Sequence, residues 1–479
     1  MNEVDSLMPD SKPVNVKKGE SVTLEIDSLA FGGRGVARVS GLTVFVDGVV
    51  PRDRVLARIV KKKKRFAEAR VIEILEPSPF RREPGCRYCG FCGGCRLQIL
   101  DYEKQLEYKR QHVIDSLAHI ALVTDVVVHP VLPAQPVFAY RNKMEFSCSD
   151  RRWLLPEEMG RDDIDDGFAL GLHVPGTFNK ILDIDGCLLF PDYGNHILAM
   201  ARDFIRQSYQ PVYGLRTHTG FWRFVMLRHS VDRDQWMVNI ITSCEDRQAI
   251  QPLADRIAEA FPRVVSVINN INTRKAAIAV GEREIVLYGD PVIEDRLGDF
   301  YFDISANSFF QTNTRGAEHL YRTAASYAGL TGSETVVDLY CGTGTIAIWL
   351  AGKAREVVGI EINEACVADA ERNRVKNGVE NVKFIVGDVR DTLSRIEQRA
   401  DVMIIDPPRA GMHEDVVKQV LAMAPPKIVY VSCNPATLAR DIGLIKDKYT
   451  MAGVQPVDMF PHTPHIECVA GLIRRDCDE

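Results

Sequence analysis

The chain changes rhythm twice between its ends. Near the start, short apolar-rich runs fall at 22–26, 43–46, 55–59 and 70–74. Such runs mark short strands, and Gly32-Gly33 and Asp47-Gly48 between them are turn signals. The pattern predicts a small five-stranded β-barrel of the oligonucleotide-binding type over 16–79, after a disordered tail at 1–15. Beyond residue 80 the spacing becomes helical: Leu97, Leu100, Tyr108, Ile114 and Leu117 predict a long helix over about 97–121. Up to about 300, strands (236–242, 264–270, 277–280) mix with helices (193–209, 249–261), as expected of an α+β central domain. Residues 151–166 are acidic and polar and read as a flexible insertion. From Gly332 on, apolar runs at 335–339, 356–360, 382–386, 402–405, 428–431, 451–457 and 466–473 alternate with helical stretches. That pattern predicts a doubly wound, Rossmann-like α/β domain over 301–479 and a multidomain chain.

Composition narrows the picture. A chain of 479 residues, 46% hydrophobic and 26% charged, suits about three globular domains. No apolar run approaches membrane-spanning length, and the acidic start lacks an apolar signal core. The expectation is a soluble, cytoplasmic monomer with no membrane partner. A net charge of -6 does not announce nucleic acid, so a basic surface must be local. Residues 17–70 supply one, with thirteen Lys/Arg against six Asp/Glu, including the run Lys61-Lys62-Lys63-Lys64-Arg65. A basic barrel in an acidic protein suits a phosphate backbone. Tyr140-Arg141-Asn142-Lys143 and Trp222-Arg223-Phe224 interleave bases with aromatics. They suit stacking on unpaired bases or, equally, ordinary strand packing.

Twelve cysteines in a chain read as cytosolic point to metal or catalytic thiols rather than disulfides. Cys86, Cys89, Cys92 and Cys95 recur every third residue, with Gly90, Gly93 and Gly94 between them. Closely spaced thiolates that must turn inward need this flexible backbone. Zinc, an iron–sulfur cluster and a redox pair all remain open at this point.

In the last domain, chemistry gathers at predicted strand ends, where ligands of open α/β sheets bind. The first strand runs into Asp338-Leu339-Tyr340-Cys341-Gly342-Thr343-Gly344, where Gly342 and Gly344 let a ligand approach the backbone. Glu361, Asp388 and Asp406 follow the second, third and fourth strands. The first two suit ribose hydroxyls and an adenine amine. Asp406-Pro407-Pro408-Arg409, and a cysteine after the next strand, fit an adenosyl methyl donor better than NAD. Singly, each acid reads as a helix cap or solvated turn, and a lone Cys433 in Ser432-Cys433-Asn434-Pro435 reads first as a small core residue. Together, a thiol beside a methyl donor suggests methylation of a carbon with no nucleophilicity of its own, such as C5 of uracil. Thiolate addition at C6 makes C5 enolate-like, and a base must then remove the C5 proton. His462-Thr463-Pro464-His465-Ile466-Glu467 offers candidates. The target base must be flipped out or single-stranded.

These motifs resemble one family. Phe31-Gly32-Gly33-Arg34-Gly35-Val36-Ala37-Arg38 is similar to the TRAM domain of RNA-modifying enzymes, which implies an RNA partner. Cys86-x5-Cys92-Gly93-Gly94-Cys95, with Cys187 in Asp185-Gly186-Cys187, resembles the iron–sulfur motif of RNA uracil-5-methyltransferases. That implies a [4Fe-4S] cluster on Cys86, Cys92, Cys95 and Cys187, with Cys89 extra to the pattern. Phe309-Phe310-Gln311-Thr312-Asn313, the Asp338 to Gly344 run, Asp406 to Arg409, Ser432 to Pro435 and Asp458-Met459-Phe460-Pro461-His462-Thr463 with Glu467 resemble the same family, of the 23S ribosomal type. The resemblance implies Cys433 as nucleophile and Glu467 as proton acceptor. It implies Gln311, Tyr340, Glu361, Asp388 and Asp406 as positions binding S-adenosylmethionine. It also implies ribosomal RNA as substrate, with transfer RNA as the alternative, and a helix at 97–121 that docks on the catalytic domain. A non-catalytic RNA-binding protein is the rival, argued against by the presence of both Cys433 and Glu467. An amino-group methyltransferase would place an aromatic where Arg409 stands, and a cytosine-5 enzyme would need a proton donor at N3, for which no motif is present.

Overall fold

The computed structural model describes residues 16–477; the tail at 1–15 lies outside the described residues. The chain divides into two compact units. The first holds residues 16–85, 95–108 and 462–464, and the second holds 86–94, 109–461 and 465–477.

The first unit is built on six strands: β1 (Ser21–Glu25), β2 (Ser28–Leu29), β3 (Gly35–Val39), β4 (Leu42–Asp47), β5 (Arg54–Lys62) and β6 (Phe66–Glu76). They form one sheet in the order β1-β5-β6-β4-β3-β2, with only the β4–β6 pair parallel. The pattern predicts a five-stranded barrel; the structure shows a six-stranded sheet, with the two-residue β2 hidden among turn-forming residues. Alternate side chains (Val44, Val46, Val55, Ala57, Ile59, Ala67, Ala69) fill its core. Gly35 admits no side chain, because a Cβ there would stand 2.3 Å from Val49. Buried Asp53 accepts hydrogen bonds from the N–H groups of Val50 (2.8 Å) and Ser78 (2.9 Å) and pairs with Arg81, closing the strand ends.

Helix α1 (Tyr102–Ser116) continues as a π-helical turn, Leu117–Ala121, and the division between the units falls within it. In the first unit, buried Gln105 donates to the carbonyls of Leu97 and Leu100 (2.9 Å each) and accepts from the His462 N–H (3.0 Å). In the second, buried Lys109 pairs with Asp458 at 2.6 Å and donates to the Phe460 carbonyl.

The second unit holds two large sheets. The first comprises β7 (Lys143–Ser149), β8 (Ala169–His173), β9 (Ile181–Asp183), β10 (Trp222–His229), β11 (Trp236–Thr242), β12 (Val264–Ile271) and β13 (Arg283–Gly289). Their order is β13-β12-β11-β10-β7-β8-β9, with helices α2 (Asp192–Arg206) and α3 (Arg247–Ala260) on the sheet. The run at 277–280 is not a strand. Arg223 reaches across and donates to the carbonyls of Asn272, Arg274 and Ala276, holding this stretch as a loop, and the edge strand falls at β13.

A hairpin, β14 (Val292–Leu297) and β15 (Phe300–Ser305), leads through α4 (Thr314–Ala328) into the second sheet. Here β16 (Thr335–Leu339), α5 (Thr345–Ala351), β17 (Glu356–Glu361), α6 (Glu364–Lys376), β18 (Val382–Val386), α7 (Val389–Thr392), β19 (Val402–Ile405), α8 (Glu414–Met423), β20 (Lys427–Ser432) and α9 (Pro435–Ile445) alternate. Strands β21 (Tyr449–Val457) and β22 (Glu467–Arg474) follow. The order is β18-β17-β16-β19-β20-β22-β21; the first five strands are parallel and β22 runs antiparallel to both its neighbours. The strand order reverses beside β16, which places a crevice outside the carboxyl ends of β16 and β19. Met237 and Ile268 of the first sheet share one apolar core with the hairpin, α4 and the second sheet.

Candidate active site

Cys433 stands where β20 stops. The strand ends because Ser432 Oγ accepts from the Asn434 N–H (3.2 Å), and Asn434 then caps α9 by accepting from the Ala436 N–H (3.1 Å), with Pro435 in the first turn. The half-buried thiol lines a cleft of about 690 Å³ with Gln311, Asp338, Tyr340, Gly342, Glu361, Asp406, Arg409 and Glu467. Burial pushes its pKa up and the charges of Glu467 and Asp406 add to this, while the positive charge of Arg409 pulls it down.

The acids around the thiol are unusually costly. Glu467, at the start of β22, is buried, and burial holds its carboxyl well above the usual range. Asp406 raises it further and Arg409 opposes. Burial raises Asp406 to about 7. Asp338, at 0% exposure inside β16, is held well above its ordinary value by burial and then by Asp406. A cation entering the cleft relieves all three, so the site is electrostatically suited to a positively charged ligand atom.

The donor side is shaped by backbone. Tyr340, Gly342 and Gly344 have φ of 63°, 55° and 73°, turning the chain sharply from β16 into α5. Gly344 has no room for a Cβ, which would meet the Phe384 ring at 2.4 Å. Glu361 is fixed at the end of β17 by the N–H groups of Gly342 (3.1 Å) and Asn363 (2.9 Å). Gln311 is anchored through its carbonyl, which accepts from Asn142 Nδ2 at 2.8 Å. An adenosyl group fits such a cradle: a carboxylate at the second strand end, backbone N–H groups at a tight turn, and apolar Phe309 and Ile362 beside them.

Asp388 does not join this lining. It caps α7, accepting from the Arg390 N–H at 2.9 Å, and pairs with the Arg390 guanidinium, which holds its carboxyl below the usual range. Its charge is still felt at Tyr340. Gly344 likewise shapes the turn without lining the cleft. Of the histidines offered as bases, His465 lines the cleft against Phe460, whereas His462 belongs to the first unit. Arg409 and Asp338 carry strong electrostatic effects that the motif reading left without a role. An acid inside the apolar run Thr335–Leu339 was the available signal for Asp338. Trp222, Arg223 and Phe224 are all buried, which removes them as a stacking surface, and Tyr140 is buried with its hydroxyl donating to the Pro461 carbonyl (3.1 Å).

The cysteines divide between the units. Cys86, Cys89, Cys92 and Cys187 lie in the second, and buried Cys95 belongs to the first. Cys92 is pushed to about 11 by burial, and its neighbours Cys187, Cys86 and Cys89 add to this while the Gly94 N–H donates to its sulfur at 3.4 Å. Burial raises Cys187, while the Leu189 N–H and Arg141 oppose. Thiols that repel one another as thiolates, with N–H groups aimed at sulfur, have the donor chemistry of a soft metal centre. Among the described residues, however, no three metal-binding side chains are gathered in ligating geometry.

Comparison with known proteins agrees with this geometry. The tRNA (uracil-5-)-methyltransferase family matches residues 245–475, and the TRAM domain matches residues 15–72. An RNA methyltransferase of Chlorobaculum tepidum is 44% identical over 98% of this chain and 99% of its own length. One from Porphyromonas gingivalis is 42% identical over 94% of this chain and 99% of its own. Among solved structures, the Pyrococcus abyssi tRNA (uracil-54, C5)-methyltransferase in complex with S-adenosyl-L-homocysteine is similar, with a TM-score of 0.74 and 30% identity. It covers 94% of this chain and 99% of that one.

Proposed function

Since the chain belongs to the S-adenosylmethionine-dependent RNA uracil-5-methyltransferase family, we propose that it methylates C5 of one uridine through a covalent adduct on Cys433. The observation that carries this reading is the meeting of Cys433, Arg409, Glu467 and Asp406 in one cleft with the adenosyl cradle. S-adenosylmethionine supplies the methyl group and leaves as S-adenosylhomocysteine; Gln311, Tyr340, Gly342 and Glu361 hold it. Asp388 and Gly344 support that site from just outside the lining.

Cys433 adds its sulfur to C6 of the uracil, and the displaced electron pair moves through C5 onto O4. The charge of Arg409 stabilises the thiolate that attacks. The enolate-like C5 takes the methyl. Glu467 then accepts the C5 proton, and the returning electrons expel the Cys433 thiolate. A buried carboxylate with a raised pKa is a stronger base once ionised, and a cationic donor beside it favours the ionised form.

The substrate we carry forward is ribosomal RNA, with the basic TRAM sheet on its backbone. Transfer RNA is the second reading, favoured by the solved neighbour, itself a tRNA (uracil-54, C5)-methyltransferase. We also propose a [4Fe-4S] centre on the family's cysteine positions, Cys86, Cys92, Cys95 and Cys187, supported by the mutual repulsion of the Cys86, Cys92 and Cys187 thiols. The test of the catalytic reading is Cys433→Ala. Methyl transfer to C5 falls below detection while RNA affinity is retained; full transfer by this variant ends the covalent mechanism. Mapping 5-methyluridine in cells lacking the protein decides between ribosomal and transfer RNA.

A further inference from the structure

The 151–166 insertion is not the loose excursion its composition predicts. The Arg152 N–H donates to the Asp166 carbonyl (2.8 Å), the Trp153 N–H to the Ile181 carbonyl (2.7 Å), and the Leu155 N–H to Glu158 Oε2 (2.9 Å). With the end of β7, the stretch before β9 and the loop at 215–217, it walls a second cleft of about 570 Å³. No residue of this cleft lines the strand-end site. Its size lies within the roughly 300–1,000 Å³ usual for ligand clefts.

The lining combines positive charge with one flat aromatic surface. Arg151, Arg152, Lys180 and Arg216 face two acids, Asp150 and Asp166. Arg152 is committed to Glu158 and Asp183. With the Asn179 amide oxygen turned toward it, Arg216 is steadied by two hydrogen bonds of 2.9 Å. Arg151 and Arg216 are exposed. Trp153 is half-buried against the core of the first large sheet, and Lys180 Nζ lies over its ring, 4.1 Å from the centroid. A base stacking on that face displaces the ammonium, which is then free to meet a phosphate.

We propose that this cleft binds one unpaired nucleotide of the RNA substrate, remote from the target uridine, with its base on Trp153 and its phosphate on Arg151 and Arg216. An acidic peptide would use the cations and leave the indole idle, whereas a nucleotide uses both. The inference rests on the reading that RNA is the substrate.

The test uses the full chain with a short single-stranded oligouridylate carrying 4-thiouridine, read by affinity and by crosslink position. Trp153→Ala, and Arg151→Ala combined with Arg216→Ala, each weaken binding about tenfold, as expected for loss of a stacked base or its phosphate contacts. Trp153→Phe restores most of the affinity, the crosslink maps to 149–180, and S-adenosylhomocysteine binding is unchanged. Unchanged oligonucleotide affinity in both variants overturns the proposal and leaves the RNA reading standing. A native chain that binds no RNA at all overturns both. Loss with the arginine pair alone, Trp153→Ala being neutral, also overturns it, since the cleft then takes an anion without a base. If Trp153→Ala does not fold, the exposed arginine pair and the crosslink position decide.

Discussion

Two groups of thiols in the second unit face the same cost and meet it differently. Cys433 and the set Cys89, Cys92 and Cys187 all lie where burial disfavours a thiolate. At Cys433 a guanidinium is built in, and the charge of Arg409 lowers the cost of the thiolate. In the cysteine set, burial raises Cys89 and Cys92 to about 11, and other thiols add to it: Cys86 at Cys89, and Cys187, Cys86 and Cys89 at Cys92. Arg141 opposes burial at Cys187. A thiol with its own cation is prepared to attack one atom. A set of thiols lacking one gains most from a bound cation that neutralises several at once.

Removing the built-in cation should make Cys433 resemble the other set, and that is the largest effect expected. In Arg409→Gln, alkylation of Cys433 by iodoacetamide slows about tenfold at pH 8 and its pH midpoint rises by about one unit, since one unit reflects ~1.4 kcal/mol of lost thiolate stabilisation. An unchanged alkylation profile would remove Arg409 from the account. Next, Cys92→Ser tests the thiol set from the other side. The native protein purified without oxygen carries iron and sulfide and absorbs near 400 nm, and Cys92→Ser loses most of both. A native protein holding zinc alone would replace the iron–sulfur proposal.

The smallest effect concerns the acids. Asp406 has a folded pKa of about 7, above its ordinary 3.8. Between those values the folded state holds more protons at this group than the unfolded one, so its contribution to stability is greatest below about pH 4 and is lost as pH rises towards 7. Asp406→Asn flattens this part of the thermal unfolding curve against pH. Saturating S-adenosylhomocysteine, a neutral sulfide, restores less of the loss than the sulfonium donor does. Identical pH curves for the native and Asp406→Asn chains would contradict the burial of that charge.

Much of this was legible because strands and turns leave strong marks. Seven apolar runs after Gly332 match β16 to β22 within a few residues, and the motif acids fall at their ends. What was not legible depended on where side chains turn. Asp388 reads as a third cleft acid, but Arg390 two residues later draws it into a helix cap. Trp222 and Phe224 read equally as a stacking surface or as strand packing, and β10, central in its sheet, buries both. The stretch at 277–280 reads as a strand until Arg223 takes three carbonyls nearby. Arg409 stands in plain view in its motif, but its place beside Cys433 in one cleft depends on β19 and β20 being neighbours, which spacing alone cannot state.

In the proposed reaction Cys433 bonds to the substrate and Glu467 releases it. The decisive experiment incubates Glu467→Gln with target RNA and S-adenosylmethionine, followed by denaturing electrophoresis and intact mass. The expected product is a stable protein–RNA adduct whose mass includes one added methyl group and which Cys433→Ala abolishes. Rapid release of methylated RNA by Glu467→Gln, with no adduct at any time point, would contradict it.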